Sequence, residues 1–169
     1  KFKEVDILDG LTPVSELNED HPVKQYVIKR KIPEKYFSKL FLCNKFMAFV
    51  NKAKPNTFGH TKGEHPRLII PFYDVNDKVF AFQGRAFGKE QPKYLTVKLD
   101  ENKQKVYGLD TINLQEHIHI VEGPIDSMFL KNCLAAAGAD LTLKVEPDNV
   151  TYIFDNEPRN KEIIKRMYD

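Results

Sequence analysis

Residues 118–126, Ile-His-Ile-Val-Glu-Gly-Pro-Ile-Asp, restrict the fold of this chain more than any other stretch. An apolar run delivers Glu122 at its end, a Gly-Pro step stops the run, and Asp126 follows four residues after the glutamate. A second apolar run, Val150–Phe154, ends on Asp155, with Glu157 two residues further on. Buried strands that finish on acids belong to an open α/β sheet, where the carboxyl ends of neighbouring strands line one crevice. Converging carboxylate oxygens are the ligands that Mg²⁺ requires. The pattern points to metal-dependent phosphate chemistry, with Glu122, Asp155 and Glu157 as candidate metal ligands and Asp126 in support. The plain alternative for Asp126 is an acid stabilised by a helix N-terminus, and for Asp155 and Glu157 a surface turn.

The order of elements around these acids is that of crossover units. Strand His117–Val121, helix Ile125–Asn132, a short strand Leu134–Ala137, a loop with Gly138, strand Thr151–Phe154 and a last helix from about Pro158 alternate as a parallel sheet demands. Upstream the period is different. Leu68–Tyr73 and Val79–Gln83 flank Asp74–Lys78, whose Asp-Val-Asn-Asp composition predicts a hairpin turn and an antiparallel pair. Tyr94–Val97 and Lys105–Tyr107 add short strands. Before them, His21–Lys31 reads as a helix with Asp20 as N-cap and Pro22 at the first helical position, and a second short helix runs from Pro33 to about Leu40. Lys1–Asp20 is an irregular lead-in with room for one short strand, and Asn51–Pro66 is a loop. The fold class is therefore α+β passing into α/β: an N-terminal mixed subdomain over residues 1–112, then the start of a parallel βαβ subdomain over residues 113–169.

Composition excludes several classes. At 169 residues, 41% hydrophobic and 30% charged, with no membrane-length apolar run and no signal-peptide pattern, the chain reads as globular and cytoplasmic, without a membrane role. Cys43 and Cys133 are too isolated, among five scattered histidines, to build a disulfide framework or a four-ligand zinc site. His117 and His119 alternate along a strand on one face and read as structural. Charge is uneven: residues 1–110 are about +6 and residues 111–169 about −4 within a net +2, which suits a polyanion on one side and metal ions on the other. Phe37, Phe41, Phe46 and Phe49 sit in apolar runs and read as core.

Several ordered motifs resemble the RNA-polymerase core of bacterial and phage DNA primases, whose catalytic part is a TOPRIM fold. They are Tyr26-Val-Ile-Lys-Arg-Lys-Ile-Pro33, Leu68-Ile-Ile-Pro-Phe-Tyr-Asp74, Val79-Phe-Ala-Phe-Gln-Gly-Arg85, Pro92-Lys-Tyr-Leu95, Tyr107-Gly-Leu-Asp110 and Val121-Glu-Gly-Pro-Ile-Asp126. The resemblance covers about residues 21–169. It implies template-directed transfer of ribonucleotides onto a 3′-hydroxyl, with Mg²⁺ or Mn²⁺, on single-stranded DNA. Ribonucleoside triphosphates are the implied substrates and a replicative helicase the implied partner. The resemblance places Arg85 and Lys93 on the basic surface that handles nucleic acid and nucleotide. It also assigns a lysine five residues before the Tyr-Gly-Leu tyrosine, but Asn102 stands there and Lys103 one place along is the substitute. The family's Asp-x-Asp becomes Asp155-Asn-Glu157, within Asp-Asn-Glu-Pro-Arg-Asn, a wording that suggests a phage source. The family's fold continues past the acidic pair, so the chain reads as a piece of a larger protein, truncated within the TOPRIM part and without the zinc module. Two rivals use the same acids: a TOPRIM nuclease or topoisomerase-like enzyme, and a non-catalytic nucleic-acid-binding module. The motifs upstream of Glu122 favour the primase.

Overall fold

A computed structural model describes residues 6–136 and 147–155, and the chain divides into two compact units, residues 1–103 and 104–169. The sequence pattern places the boundary after residue 112. The earlier division follows from Val106, which is buried among Ile118, Ile120 and Leu134 of the second unit, and from Tyr107, which bridges to Ala135.

The first unit is built on a five-stranded antiparallel sheet in sequence order, β1 (Thr12–Pro13), β2 (Phe41–Cys43), β3 (Arg67–Tyr73), β4 (Val79–Ala86) and β5 (Tyr94–Lys98). Its backbone is the β3–β4 hairpin, paired from Arg67↔Ala86 to Tyr73↔Val79. Asp74 makes that turn, because its Oδ1 accepts from the amides of Asn76 and Lys78 at 2.9 and 3.0 Å. A carboxylate that hydrogen-bonds its own turn in this way is the reason Asp recurs at such positions. Helix α1 (Pro22–Lys29) starts with Pro22 at its first turn as expected, but the cap is His21, whose Nδ1 accepts from Val23 N at 3.1 Å. The segment after Pro33 is a 3₁₀ helix, Glu34–Lys39. Helix α2 (Phe46–Ala53) and β2 are not announced by the sequence pattern, and α2 runs three residues into the stretch Asn51–Pro66 expected as a loop. Phe46 and Val50 of α2 pack with Phe41, Ile69, Phe82 and Val97 into one core cluster. Each such buried side chain contributes about 1.5–3 kcal/mol relative to exposure.

The second unit holds a three-stranded parallel sheet in the order β7 (Cys133–Ala135), β6 (Ile118–Val121), β8 (Val150–Tyr152). Both neighbours run parallel to β6, in registers His119↔Cys133 and His119↔Thr151. The expected helix after the Gly-Pro step is a single turn, α3 (Pro124–Ser127), followed by turns. The expected strand at Lys105–Tyr107 is reduced to the bridge at Tyr107. Gly108 has φ +101°, and a Cβ there would meet the carbonyl oxygen of Cys133 at 2.8 Å. Only glycine both adopts that backbone and lets the chain pass so close. Gly138, Glu157 and the helix expected from Pro158 lie outside the described residues.

Candidate functional sites: an acidic strand edge and a basic strand pair

Parallel pairing decides where the acids of the second unit stand. Glu122 immediately follows β6, and Asp155 follows β8 by three residues, so both leave the sheet at its carboxyl edge. The ladder continues one step past the strand ends: Ile153 N donates to Ile120 O at 2.8 Å and Ala136 N to Val121 O at 3.0 Å. Glu122 is half-buried and Asp155 exposed. Asp126 stands in the first turn of α3 with its carboxylate folded back over Gly123, where a Cβ would lie 2.6 Å from Oδ2. Gly123 has φ −106°, an extended value any residue adopts. A side chain at position 123 would displace only the exposed carboxylate of Asp126.

Cys133, at the start of β7, senses this edge. Burial first, and then the charge of Asp126, push its thiol up to about 11, so it is an inert thiol at neutral pH. His117 Nε2 lies 2.8 Å from Thr151 Oγ1, and His119 Nδ1 lies 3.0 Å from the carbonyl of Lys131. His117, just before β6, and His119 within it are thus both engaged with the flanking chain. No group of three or more His, Cys, Asp or Glu side chains gathers among the described residues. Glu122 and Asp155 bring hard oxygen donors to one sheet edge, the donor chemistry of a Mg²⁺-type ion, which takes one or two carboxylates and keeps its remaining positions for water and phosphate.

The basic candidates belong to the first unit. Arg85, near the end of β4, is 6% exposed, and its guanidinium carbon lies 4.8 Å from the Tyr26 ring centre and 5.6 Å from that of Tyr94. Register explains the second contact, since Arg85 and Tyr94 are cross-strand partners. Nη1 donates to the carbonyl of Ala86, while Nε is buried without a hydrogen-bond partner among the described residues. Lys93 is exposed, with Nζ 5.9 Å from the centre of the Tyr94 ring, and Arg30 stands 5.8 Å from that of Tyr26. Three cations therefore surround two tyrosines, and among the described residues no carboxylate forms an ion pair with any of them. Burial raises the Tyr26 hydroxyl above its ordinary range, against the pull of Arg85 and Arg30. Arg30 caps the carboxyl end of α1, and its contact with Tyr26, one turn earlier, follows the i, i+4 spacing of a helix.

Lys103 has a different setting. Its Nζ is 2.5 Å from Asp74 Oδ2 and 5.3 Å from the centre of the Phe80 ring. That bond, together with the Lys78 amide, brings the Asp74 carboxyl down to about 2. Lys103 thus ties the end of the first unit to the β3–β4 turn.

No family model matches the chain. It is 38% identical over 163 residues to the DNA primase of Enterobacteria phage T4, an alignment that takes in 95% of this chain and 47% of that protein. In fold it is similar to the Aquifex aeolicus primase structure with zinc-binding and RNA polymerase domains, with TM-score 0.61 and 22% identity over 88% of this chain and 46% of that one. It is also similar to a DnaG primase catalytic domain bound to single-stranded DNA, with TM-score 0.53 and 16% identity over 83% of this chain and 57% of that one. The chain spans about half the length of the phage relative it matches.

Proposed function

This chain has the sequence and the fold of a DnaG-like DNA primase core, and from that premise we propose that it carries part of the machinery for template-directed synthesis of RNA primers on single-stranded DNA. The observation that carries the reading is the co-linearity of two features in one chain: acids at the carboxyl edge of a parallel sheet and a basic tyrosine-lined strand pair upstream of it. The upstream half distinguishes it from TOPRIM nucleases, because the likeness to the phage primase runs through 95% of the chain and not through the acidic motif alone.

Glu122 and Asp155, with Glu157 beyond the described residues, are the groups that would hold Mg²⁺ or Mn²⁺. Such an ion, when bound, neutralises charge on the triphosphate as a 3′-hydroxyl attacks the α-phosphate. Asp126, one turn from Glu122, supports that edge through its place over Gly123. Arg85 and Lys93 bind phosphates of template or nucleotide: Arg85 presents a guanidinium whose orientation the two tyrosines fix, and Lys93 a mobile point charge. Tyr94 and Tyr26 offer aromatic faces beside those cations, the combination that single-stranded nucleic acid favours. Ribonucleoside triphosphates are the substrates and the replicative helicase is the proposed partner in the cell. Lys103 takes the structural part in this reading.

The test is incorporation of labelled ribonucleotides on single-stranded DNA by the full-length protein, wild type and Glu122→Gln. The variant should retain DNA binding and lose synthesis. Undiminished synthesis by Glu122→Gln would remove the acidic edge from the reaction.

A further inference from the structure

Arg67, which opens β3, is 1% exposed and is among the largest fully buried side chains of the described residues. A buried cation ordinarily needs a carboxylate partner. Arg67 instead makes hydrogen bonds to neutral acceptors: Nε donates to His65 Nε2 at 2.9 Å, and Nη1 donates both to the carbonyl of Gly84 at 3.0 Å and to that of Pro92 at 2.8 Å. The guanidinium face covers Phe46, 4.8 Å from the ring centre. Gly84 and Pro92 are the residues immediately before Arg85 and Lys93.

We propose that Arg67 is a positioning residue that sets Arg85 and Lys93 in register with one another from beneath the sheet. The proposal rests on the nucleic-acid role given to those two residues above. β4 lies between β3 and β5, so a side chain from β3 that reaches Pro92, just ahead of β5, spans all three strands at the level where the two cations leave the sheet. A backbone bond from Ala86 N to Lys93 O, 2.9 Å, closes the same segment. Gly84 is what lets Arg67 pass: a Cβ there would lie 3.1 Å from Arg67 Cδ and 2.4 Å from Phe46 Cε2. The planar guanidinium can aim Nη1 at two carbonyls and Nε at an imidazole together, whereas an ammonium on a flexible stem cannot reproduce that fork. An unbonded carbonyl pair would loosen the loop that separates Arg85 from Lys93.

The experiment is a double-mutant cycle in the full-length protein, with affinity for a labelled single-stranded oligonucleotide as readout and circular dichroism to establish folding. Arg67→Lys should weaken binding by about three- to tenfold, the scale of one or two exposed charge contacts. In the Arg85→Ala, Lys93→Ala background it should cause no further loss, because Arg67 acts only through those residues. Wild-type affinity in a folded Arg67→Lys protein, or a loss that adds fully to that of the double variant, overturns the proposal. If instead Arg85→Ala and Lys93→Ala themselves leave binding unchanged, it is the nucleic-acid reading that fails. Should Arg67→Lys not fold, nitrogen-15 spectra of the wild type decide: the Arg67 side-chain NH signals should resist solvent exchange and stay in place when oligonucleotide is added, while those of Arg85 shift. Rapid exchange at Arg67, or a shift as large as that of Arg85, overturns it.

Discussion

At the residue scale, a charge can hold the fold or stand open to a ligand. Asp74 belongs to the first kind. Lys103 and the amides of Lys78 and Asn76 hold its carboxyl at about 2 in the folded chain, below the roughly 3.9 of an unfolded aspartate. A group depressed in this way adds stability that is present above its unfolded value and disappears as pH falls through the folded one. Denaturation midpoints should therefore fall between about pH 4 and pH 2, and Asp74→Asn should flatten that limb while lowering stability at neutral pH. An acid limb of unchanged depth in Asp74→Asn would refute this account. Cys133 gives a second residue-level prediction. With burial as the main cause and Asp126 the next, Asp126→Asn should speed alkylation of Cys133 by iodoacetamide at mildly alkaline pH. Equal rates in the two proteins would show that Asp126 does not act on that thiol.

At the element scale, the β3–β4–β5 arrangement is organised by what stands under Gly84. A Cβ at that position would strike Phe46, a 1%-exposed ring in the core cluster, at 2.4 and 2.7 Å. Gly84→Ala should cost about 1–3 kcal/mol, as overpacking of a filled core does, measured by urea denaturation. A neutral result would mean that α2, which carries Phe46, shifts freely against the sheet. The parallel sheet is governed by a different kind of constraint. Its three strands reach the acidic edge together only because β6 pairs in parallel with both β7 and β8, and Gly108 lets the chain before β6 press against Cys133.

At the scale of the whole molecule, the proposed nucleic-acid contacts are electrostatic and aromatic. Arg30, Arg85 and Lys93 stand beside the rings of Tyr26 and Tyr94, and cations beside aromatic faces suit phosphate contact and base stacking without regard to sequence. The chain should bind single-stranded oligonucleotides of different sequence with similar affinity, about 10⁻⁴–10⁻⁶ M at physiological salt and steeply weaker as salt rises. Arg85→Ala and Lys93→Ala should each weaken binding and make the salt slope shallower. Tight binding that distinguishes one sequence from another would require a reading element outside this cluster. Among the described residues no helix is long and apolar enough to cross a membrane.

The local pattern along the chain was enough to place the strands β3 to β8 in their order: the alternation around β6 and β8, the Asp74 turn, Pro22 at the start of α1, and the placing of Glu122 at a strand end are all short-range properties of sequence. The resemblance carried by the ordered motifs supplied the primase reading. Tertiary structure alone decided the rest. α2 and β2 escaped because a short run such as Phe46–Ala53 fits helix or strand equally until Ile69 and Phe82 supply the surface it packs on. The resemblance offered Lys103 as a nucleic-acid-binding residue, and no local pattern announced the ion pair it forms with Asp74, 29 residues away. Arg67 carries no sequence signal of its role, because a cation at the head of a strand looks solvent-exposed until β4 and β5 bring the carbonyls of Gly84 and Pro92 to it. Sequence encodes period and order, which are local; which charge meets which acceptor depends on strands paired across long stretches of chain.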